Sequence, residues 1–356
     1  MSLRKKLGAI KIKLYSRYEY LKYILLILTE RLKFIRVVPF LFSKSFHSEY
    51  NVYLGGKKKY LSDLYKSGSA NLYLLRRNIH RLEKGLISKN PKPVFAAGYI
   101  LETVNEYERL NRTLNGKKNK ERSEIDWIES VLNKYFDIVS SHPEVDKARL
   151  IYNRIKRESG GELQSIPYKR DFSKELNITY DDYLQLCMRR RSVRWYLQKP
   201  VPRELIDKAI QAASQSPSAC NRQPFRFLIF DDRELIEKLG KIPAGFAEYY
   251  KNIPALAVVI GHQRAFFNSF DRHTIYIDSS LAIMSFLFAL EVQGLSSCTI
   301  NWTDRPKPLK ELSKIISLDE DEQVILFISI GYPDSEAKVP YSKKKDLSEI
   351  RSYNFE

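Results

Sequence analysis

Little in this chain suits a metal centre or a disulfide framework. Its 356 residues include only three cysteines, Cys187, Cys220 and Cys298, widely spaced, odd in number and without a CxxC pair, a usage that fits a reducing compartment. The five histidines, His47, His80, His142, His262 and His273, show no pairing at ligand spacing, so metal catalysis finds no support and each reads as structural or solvent-facing. In the N-terminal segment the uninterrupted apolar run stays far short of the roughly 20 residues that a spanning helix requires, because Lys22, Glu30, Arg31, Lys33 and Arg36 interrupt its densest stretch, 20–42. No small-residue cleavage site follows Leu25 to Leu28, which speaks against a cleaved signal peptide. The sequence shows no repeat at a solenoid period and no recognisable nucleic-acid-binding motif. Its C-terminal half holds no obvious acid–base dyad.

What is present is a basic, two-part chain. Length favours about two domains, each able to bury a core, and 44% hydrophobic residues fit a folded soluble protein. A net charge of +18 would by itself suit nucleic acid, an anionic membrane surface or an acidic ligand. Its distribution narrows the choice, since residues 1–60 hold 14 basic and 3 acidic side chains and so supply +11 of the total. There Leu7, Ile10, Leu14, Tyr18, Leu21, Leu25, Leu28, Leu32 and Ile35 recur at spacings of three and four, one face of a helix. Two readings stay open: an amphipathic helix lying on an anionic membrane surface, or a helix packed on its own protein or on a second subunit. Pro39 is expected to end or bend this element, and Gly55, Gly56, Lys57, Lys58 and Lys59 to form an exposed loop.

Residues 60–158 carry helical periodicity. Leu72, Leu75, Ile79, Leu82 and Leu86 mark one apolar face, and Gly85 is placed to stop the helix. Arg76, Arg77, His80, Arg81 and Lys84 populate a basic face that can bind phosphate or lipid but is more often merely solvated. Further helices are expected over 95–114, from an N-cap at Ser123 through Trp127 to Ile138, and from Pro143 to Ile155. Gly160, Gly161 and Pro167 mark a linker, after which Thr179 with Asp181 and Asp182 opens a helix. Beyond Arg191 the stretches 225–230, 255–261, 296–302 and 324–330 read as buried strands, separated by helical stretches at 202–214, 275–292 and 307–316. The expected organisation is a basic amphipathic helical segment over 1–59, a helical domain over 60–160, a linker over 161–179 and an α+β domain over 180–356.

The stretch 188–227 organises the second half. It opens with Arg189, Arg190, Arg191, Ser192, Val193 and Arg194, and closes with Ser216, Pro217, Ser218, Ala219, Cys220, Asn221, Arg222, Gln223, Pro224 and Phe225. Arginines near a helix terminus with a hydroxyl are equipped to hold a phosphate monoester; alone, such a basic triplet is more often an ordinary surface feature. The second segment adds backbone and amide groups at fixed positions, as a ring with several donors and acceptors requires. A helix length separates the two, which would let them face each other across one short unit and hold an anionic cofactor.

Here the sequence resembles the nitroreductase family of flavin enzymes, across about 180–356. The resemblance rests on 190–194, on 217–225, on Gly294, Leu295, Ser296, Ser297 and Cys298 entering a strand, and on Gly331, Tyr332 and Pro333 before a basic tail. Upstream, His80, Arg81, Leu82, Glu83, Lys84 and Gly85 look similar to long bacterial members found near cell-surface polysaccharide genes. The resemblance implies an α+β fold with a nitroreductase-like mixed central sheet flanked by helices, behind a mostly helical N-terminal region. It also implies FMN held non-covalently at a homodimer interface, with NADH or NADPH as reductant and a second, small-molecule electron acceptor. By position, Arg190, Ser192 and Arg194 would hold the FMN phosphate and ribityl chain, with Arg191 adjacent and contributing mostly backbone, and Pro217, Ser218, Ala219 and Asn221 would reach the flavin from the opposite subunit. Thr299, Asn301 and Trp302 would lie beside the reactive edge of the ring, and Lys343 and Lys345 would close on the phosphate. The flavin carries the electron chemistry, so no catalytic side chain is required.

Departures from the family pattern are specific. Phe225 stands where Trp is frequent, Trp302 where some members have Gly, narrowing the space above the flavin, and Lys345 where Arg is common; no match for the family's remaining Asn and Lys contacts is found over 249–252. The segment 262–278, with Phe266, Phe267, Phe270, His273 and Tyr276, reads either as a lid for a planar or aromatic substrate or, slightly favoured, as a cluster packed on a partner or on the N-terminal helices. The leading expectation is a cytoplasmic, dimeric FMN-dependent NAD(P)H oxidoreductase whose N-terminal extension docks on a partner or, through residues 1–45, peripherally at the inner face of the membrane. The alternative is a non-catalytic dimeric flavin-fold scaffold or a membrane-associated interaction protein in cell-surface polysaccharide assembly.

Overall fold

The computed structural model describes residues 14–354 apart from 16, 19, 22, 25–26, 29–31, 33–36, 67, 91, 115–121 and 157–164. Of the N-terminal apolar seam, Leu7, Ile10, Leu25 and Ile35 therefore lie outside the described residues. The described residues between Leu14 and Leu28 are helical, and Leu14, Tyr18, Leu21 and Leu28 turn their side chains to solvent. Pro39 lies inside a short helix, α1 (Val37–Phe42), and Ser43 then caps α2 (Lys44–Tyr65) through the Phe46 amide.

The expected loop at Gly55 to Lys59 is instead the middle of α2, and the boundary expected at 59/60 falls inside the same helix. Two adjacent glycines cost a helix about 1 kcal/mol each relative to alanine, so the sequence rule reads them as a breaker. Here they let the helix backbone touch the C-terminal domain: a Cβ at Gly55 would sit 2.6 Å from the Glu320 carbonyl oxygen, and one at Gly56 would sit 2.8 Å from the Gln263 carbonyl carbon. The following lysines fasten the joint, Lys58 to Glu320 and Lys59 to Asp319.

Four further helices pack around one core: α3 (Leu72–Leu86), α4 (Ile100–Leu114), α5 (Arg122–Ile138) and α6 (Pro143–Ile155). Leu75, Ile79 and Leu82 of α3 meet Val104, Tyr107, Val131, Tyr135, Val145 and Tyr152 there, all fully buried. Asn71 starts α3 by accepting from the Leu74 amide at 3.0 Å. Gly85 does not stop this helix; it lies within it and makes room for the Phe95 ring, which would stand 2.3 Å from an added Cβ. Helix α5 begins at Arg122, so Ser123 is inside it rather than at its cap. Residues 168–179 are exposed throughout, up to the capping box that Thr179 and Asp182 make at the start of α7 (Tyr180–Arg189).

The C-terminal domain contains α8 (Arg203–Ser214), β1 (Phe225–Phe230), α9 (Arg233–Gly240), β2 (Ala255–His262), α10 (Thr274–Val292), β3 (Ser296–Asn301), α11 (Pro306–Leu312) and β4 (Glu322–Gly331), with α12 (Leu347–Ile350) on an exposed tail. Strands run in the order β1-β2-β4-β3, every ladder antiparallel. The parallel component of the expected mixed sheet is, among the described residues, a single bridge between Ser192 and Ser297. Period-two alternation buries both faces: Ala255, Ala257 and Val259 face the core built on α8 and α10, while Leu256, Val258 and Ile260 face the one built on α9 and α11. The chain is thus an α+β domain behind a helical N-terminal region.

Candidate functional site

The cationic segment follows directly from the end of α7. Arg190 caps that helix, its amide donating to the Leu186 carbonyl, and the chain then extends along β3, where the Val193 amide donates to Ser297 at 3.1 Å. Tyr196 fixes the other end; its hydroxyl donates to the Val193 carbonyl at 2.6 Å and lies 2.8 Å from the Ser329 hydroxyl. Asn252 clamps the Tyr196 backbone from both sides, accepting from its amide at 2.6 Å and donating to its carbonyl at 3.1 Å. The 249–252 region therefore holds this segment in place from behind.

Arg190, Arg191, Ser192 and Arg194 come out half-buried on one short run. Arg191 and Arg194 reach only local carbonyls, those of Arg190 and Ser192. Among the described residues none of the three guanidiniums has a carboxylate within ion-pair distance, whereas the preceding Arg189 is paired to Glu291 at 3.1 Å. Three partly dehydrated cations without a counter-charge form a setting that an anion would neutralise. Thr299 and Asn301 share a face of β3 with Ser297, the bridge partner of Ser192, so the structure brings them to the same edge.

Trp302 does not project over that edge. Its indole is buried and stacks on Phe327 with centroids 5.5 Å apart, so its bulk fills the core rather than narrowing space above a ligand. Lys343 and Lys345 lie on the exposed tail and make no ion pair or hydrogen bond with described residues.

The amide-rich loop is tightly built. Cys220, Asn221 and Gln223 adopt φ values of 52°, 52° and 48°, a left-handed backbone that non-glycine residues occupy only when their surroundings enforce it. Three contacts enforce it here. Ser218 Oγ accepts from the Gln223 amide at 3.1 Å, the Asp278 carboxylate accepts from the Ala219 amide at 3.1–3.2 Å, and Arg76 of α3 donates from Nε to the Asn221 carbonyl at 2.8 Å. Burial raises the Asp278 carboxyl above its usual range, partly offset by the Ala219 amide. Arg76 is itself held by an ion pair to Glu124 and lies over Trp127, 5.2 Å from its ring centroid. Sequence reasoning missed these supports: Arg76 read as part of a solvated face, although Asp278, one of two acids in an otherwise apolar helix, was a visible signal.

The two loops do not face each other within one protomer. Asp278, near the start of α10, holds the loop at 219, whereas Glu291, near its end, holds Arg189 beside the cationic segment. Thirteen residues of α-helix separate these anchors, a rise of about 20 Å. Their distance in sequence gave no hint of this, because a third element places them.

The aromatic segment after β2 packs on the N-terminal helices. Phe266 is buried, Phe267 meets Tyr60 at 5.3 Å, and its carbonyl accepts from the Tyr53 hydroxyl at 3.4 Å; Phe270 and His273 of the group are exposed.

Comparison with known proteins fits this arrangement. The model of the nitroreductase family matches residues 187–258 and 245–332. Human iodotyrosine deiodinase 1 is 23% identical over 294 aligned residues, covering 72% of this chain and 97% of the relative. An iodotyrosine deiodinase from the bacterium Haliscomenobacter hydrossis is 24% identical over 197 residues, covering 48% of this chain and 87% of its own. Among solved structures, an FMN-dependent nitroreductase from Clostridium difficile R20291 is 27% identical, covers 48% of this chain and 99% of its own, and superposes with a TM-score of 0.41. Residues 187–332 thus match the nitroreductase family, behind a helical N-terminal region.

Proposed function

We propose that the protein is an FMN-dependent oxidoreductase that works as a homodimer, using NAD(P)H to reduce a small planar or aromatic acceptor. The observation that carries this reading is the pair of loops at opposite ends of α10: three unpaired guanidiniums at one end, a rigid amide-rich loop at the other, about 20 Å apart. One protomer supplies each half only once, at separate places, so a complete site needs two chains. Helix α10 offers the means. Ile277, Leu281, Met284 and Val292 form an exposed apolar stripe along it, and Tyr183, Leu184 and Met188 of α7 extend the surface. The run Ser269–Val292 is apolar enough to cross a membrane, with mean hydropathy 1.6, yet half of it is buried inside the domain, as suits a core helix with one face left for a partner.

In this reading Arg190, Ser192 and Arg194, with Arg191 beside them, hold the FMN phosphate by forked donors and a hydroxyl. Pro217, Ser218, Ala219 and Asn221 of the other chain orient the ring, and Thr299 and Asn301 border it. When bound, FMN supplies hydride and electron transfer between nicotinamide and acceptor; the chain positions it and contributes no nucleophile. Purified protein is expected to be yellow and to release FMN, and stopped-flow mixing with NADH and NADPH is expected to bleach it. Iodotyrosine, the molecule in the relatives' name, and a nitroaromatic belong on the acceptor panel. Colourless protein that FMN cannot reconstitute leaves the dimeric scaffold as the function.

The first 45 residues fit a peripheral position at the inner face of the cytoplasmic membrane. Support comes from exposed Leu14, Tyr18, Leu21, Phe40 and Phe42 in a region with 14 basic and 3 acidic residues over 1–60. Sedimentation with anionic liposomes is expected for the full chain and lost on deletion of residues 1–45; equal binding by both removes the anchor.

A further inference from the structure

The seam between α3 and the amide-rich loop holds a cation with no ion-pair partner among the described residues. Arg222 is half-buried, its guanidinium over the Phe266 ring at 4.7 Å from the centroid, and it makes no side-chain hydrogen bond or ion pair among the described residues. Arg77 directly follows Arg76, whose Nε donates to the Asn221 carbonyl at 2.8 Å, so α3 brings it beside the loop that carries Arg222, and its charge acts on Arg222 and on the hydroxyl of buried Tyr60. Arg77 is itself thinly compensated, with Glu102 3.9 Å away. Asp271 faces Arg222 but forms no ion pair with it. Burial pulls the Arg222 guanidinium below its usual range, and Arg77 adds to that.

An aromatic face offsets only part of the cost of withdrawing a cation from water. A second guanidinium nearby adds repulsion. Neighbouring Arg76 shows how the same surface treats a cation that only supports structure: it is paired, to Glu124. Two forked donors and a phenol around one unfilled counter-charge match a planar carboxylate or a phosphate.

We propose that Arg222 and Arg77, with the Tyr60 hydroxyl, form an anion site at this seam that takes the carboxylate or phosphate of the electron-accepting substrate. Assigning the anion to the acceptor rests on the flavin reading, because Arg222 adjoins Asn221 on the loop given to the ring. The helical N-terminal region then selects the substrate, by closing one side of the site.

The test uses the full-length protein, with flavin content measured first. Calorimetric titration with benzoate and with inorganic phosphate at low ionic strength is expected to show saturable binding, weakened about 10-fold or more by Arg222→Gln and by Arg77→Gln, with part of the loss restored by Arg222→Lys. No saturation, or equal binding by wild type and Arg222→Gln with unchanged circular dichroism, overturns the site and assigns the counter-charge to the partner subunit. This arm needs no flavin, so a colourless protein that binds benzoate through Arg222 sinks the flavin reading and leaves the site standing. In flavin-loaded enzyme, the ratio of KM for 4-nitrobenzoate to KM for nitrobenzene is expected to rise about 10-fold in Arg222→Gln. A rise in KM for NADPH with that ratio unchanged would give the anion to the nucleotide and overturn the acceptor assignment.

Discussion

The arginines of the two polar loops live under different rules from those that fasten the rest of the chain, where C-terminal Arg203, Arg226 and Arg264 also meet carboxylates. In the helical region Arg76, Arg109, Arg112 and Arg149 each meet a carboxylate, Glu124, Glu106, Glu108 and Asp146, within their own region. In the C-terminal domain Arg190, Arg191, Arg194 and Arg222 have none among the described residues, although all four are half-buried. A paired guanidinium fastens helices. An unpaired one in a partly dehydrated place is a binding group whose partner comes from elsewhere. Over 180–356 basic and acidic residues nearly balance, 24 against 23, so the positive charge of this half is local to the loops rather than general.

The largest expected effect tests those positions directly. Replacing Arg190 and Arg194 together by Gln is expected to lower FMN affinity about 100-fold or more, since each charge-assisted bond contributes about 1.5–3 kcal/mol. Flavin content after gel filtration measures it, with an unchanged circular dichroism spectrum showing that neither residue fastens the fold. Next is Leu281→Lys on the exposed stripe of α10. Like charges facing each other across a two-fold interface cost several kcal/mol, so the dimer dissociation constant is expected to rise about 100-fold or more, with flavin lost in parallel, by light scattering and absorbance. A monomer that keeps its flavin would break the two-chain site.

A smaller change sharpens the other side of the contrast. Gly55→Val is expected to force α2 off the Glu320 carbonyl at a cost of about 1–3 kcal/mol, read as a lower melting temperature and faster proteolysis between the two regions. The smallest effect is a pH dependence at the same joint. Hydrogen bonds from Lys59 and then Arg264 hold the Asp319 carboxyl down at about 2, below its ordinary 3.8. A depressed folded pKa contributes stability that is present above about 3.8 and lost as pH falls through about 2. Lys59→Met is expected to move the acid-unfolding midpoint upward, modestly because Asp319 is half-exposed and salt screens the pair.

Where local chemistry decides, the sequence was legible. Pro143 opens α6 and Ile155 closes it; the Thr179 capping box opens α7; the Phe225–Phe230 strand has the expected ends. What failed were positions whose conformation a distant element sets. Gly55 and Gly56 are helical because the Glu320 and Gln263 backbones need the space, and Gly85 because Phe95 does. The candidate residues were readable as two polar segments, yet their separation was not, because α10 places them and neither segment encodes its length. Arg76 looked like every other arginine on its face until the loop was seen folded against it.

The length of α10 between its two anchors has a genetic consequence. If the site is built from two chains, a chain crippled at Arg190 and a chain crippled at Asn221 are each expected to be inactive, failing at opposite ends of that helix. Mixed in equal amounts, they should exchange into hybrids in which one composite centre carries both lesions and the other carries neither, restoring about a quarter of wild-type turnover from two dead alleles.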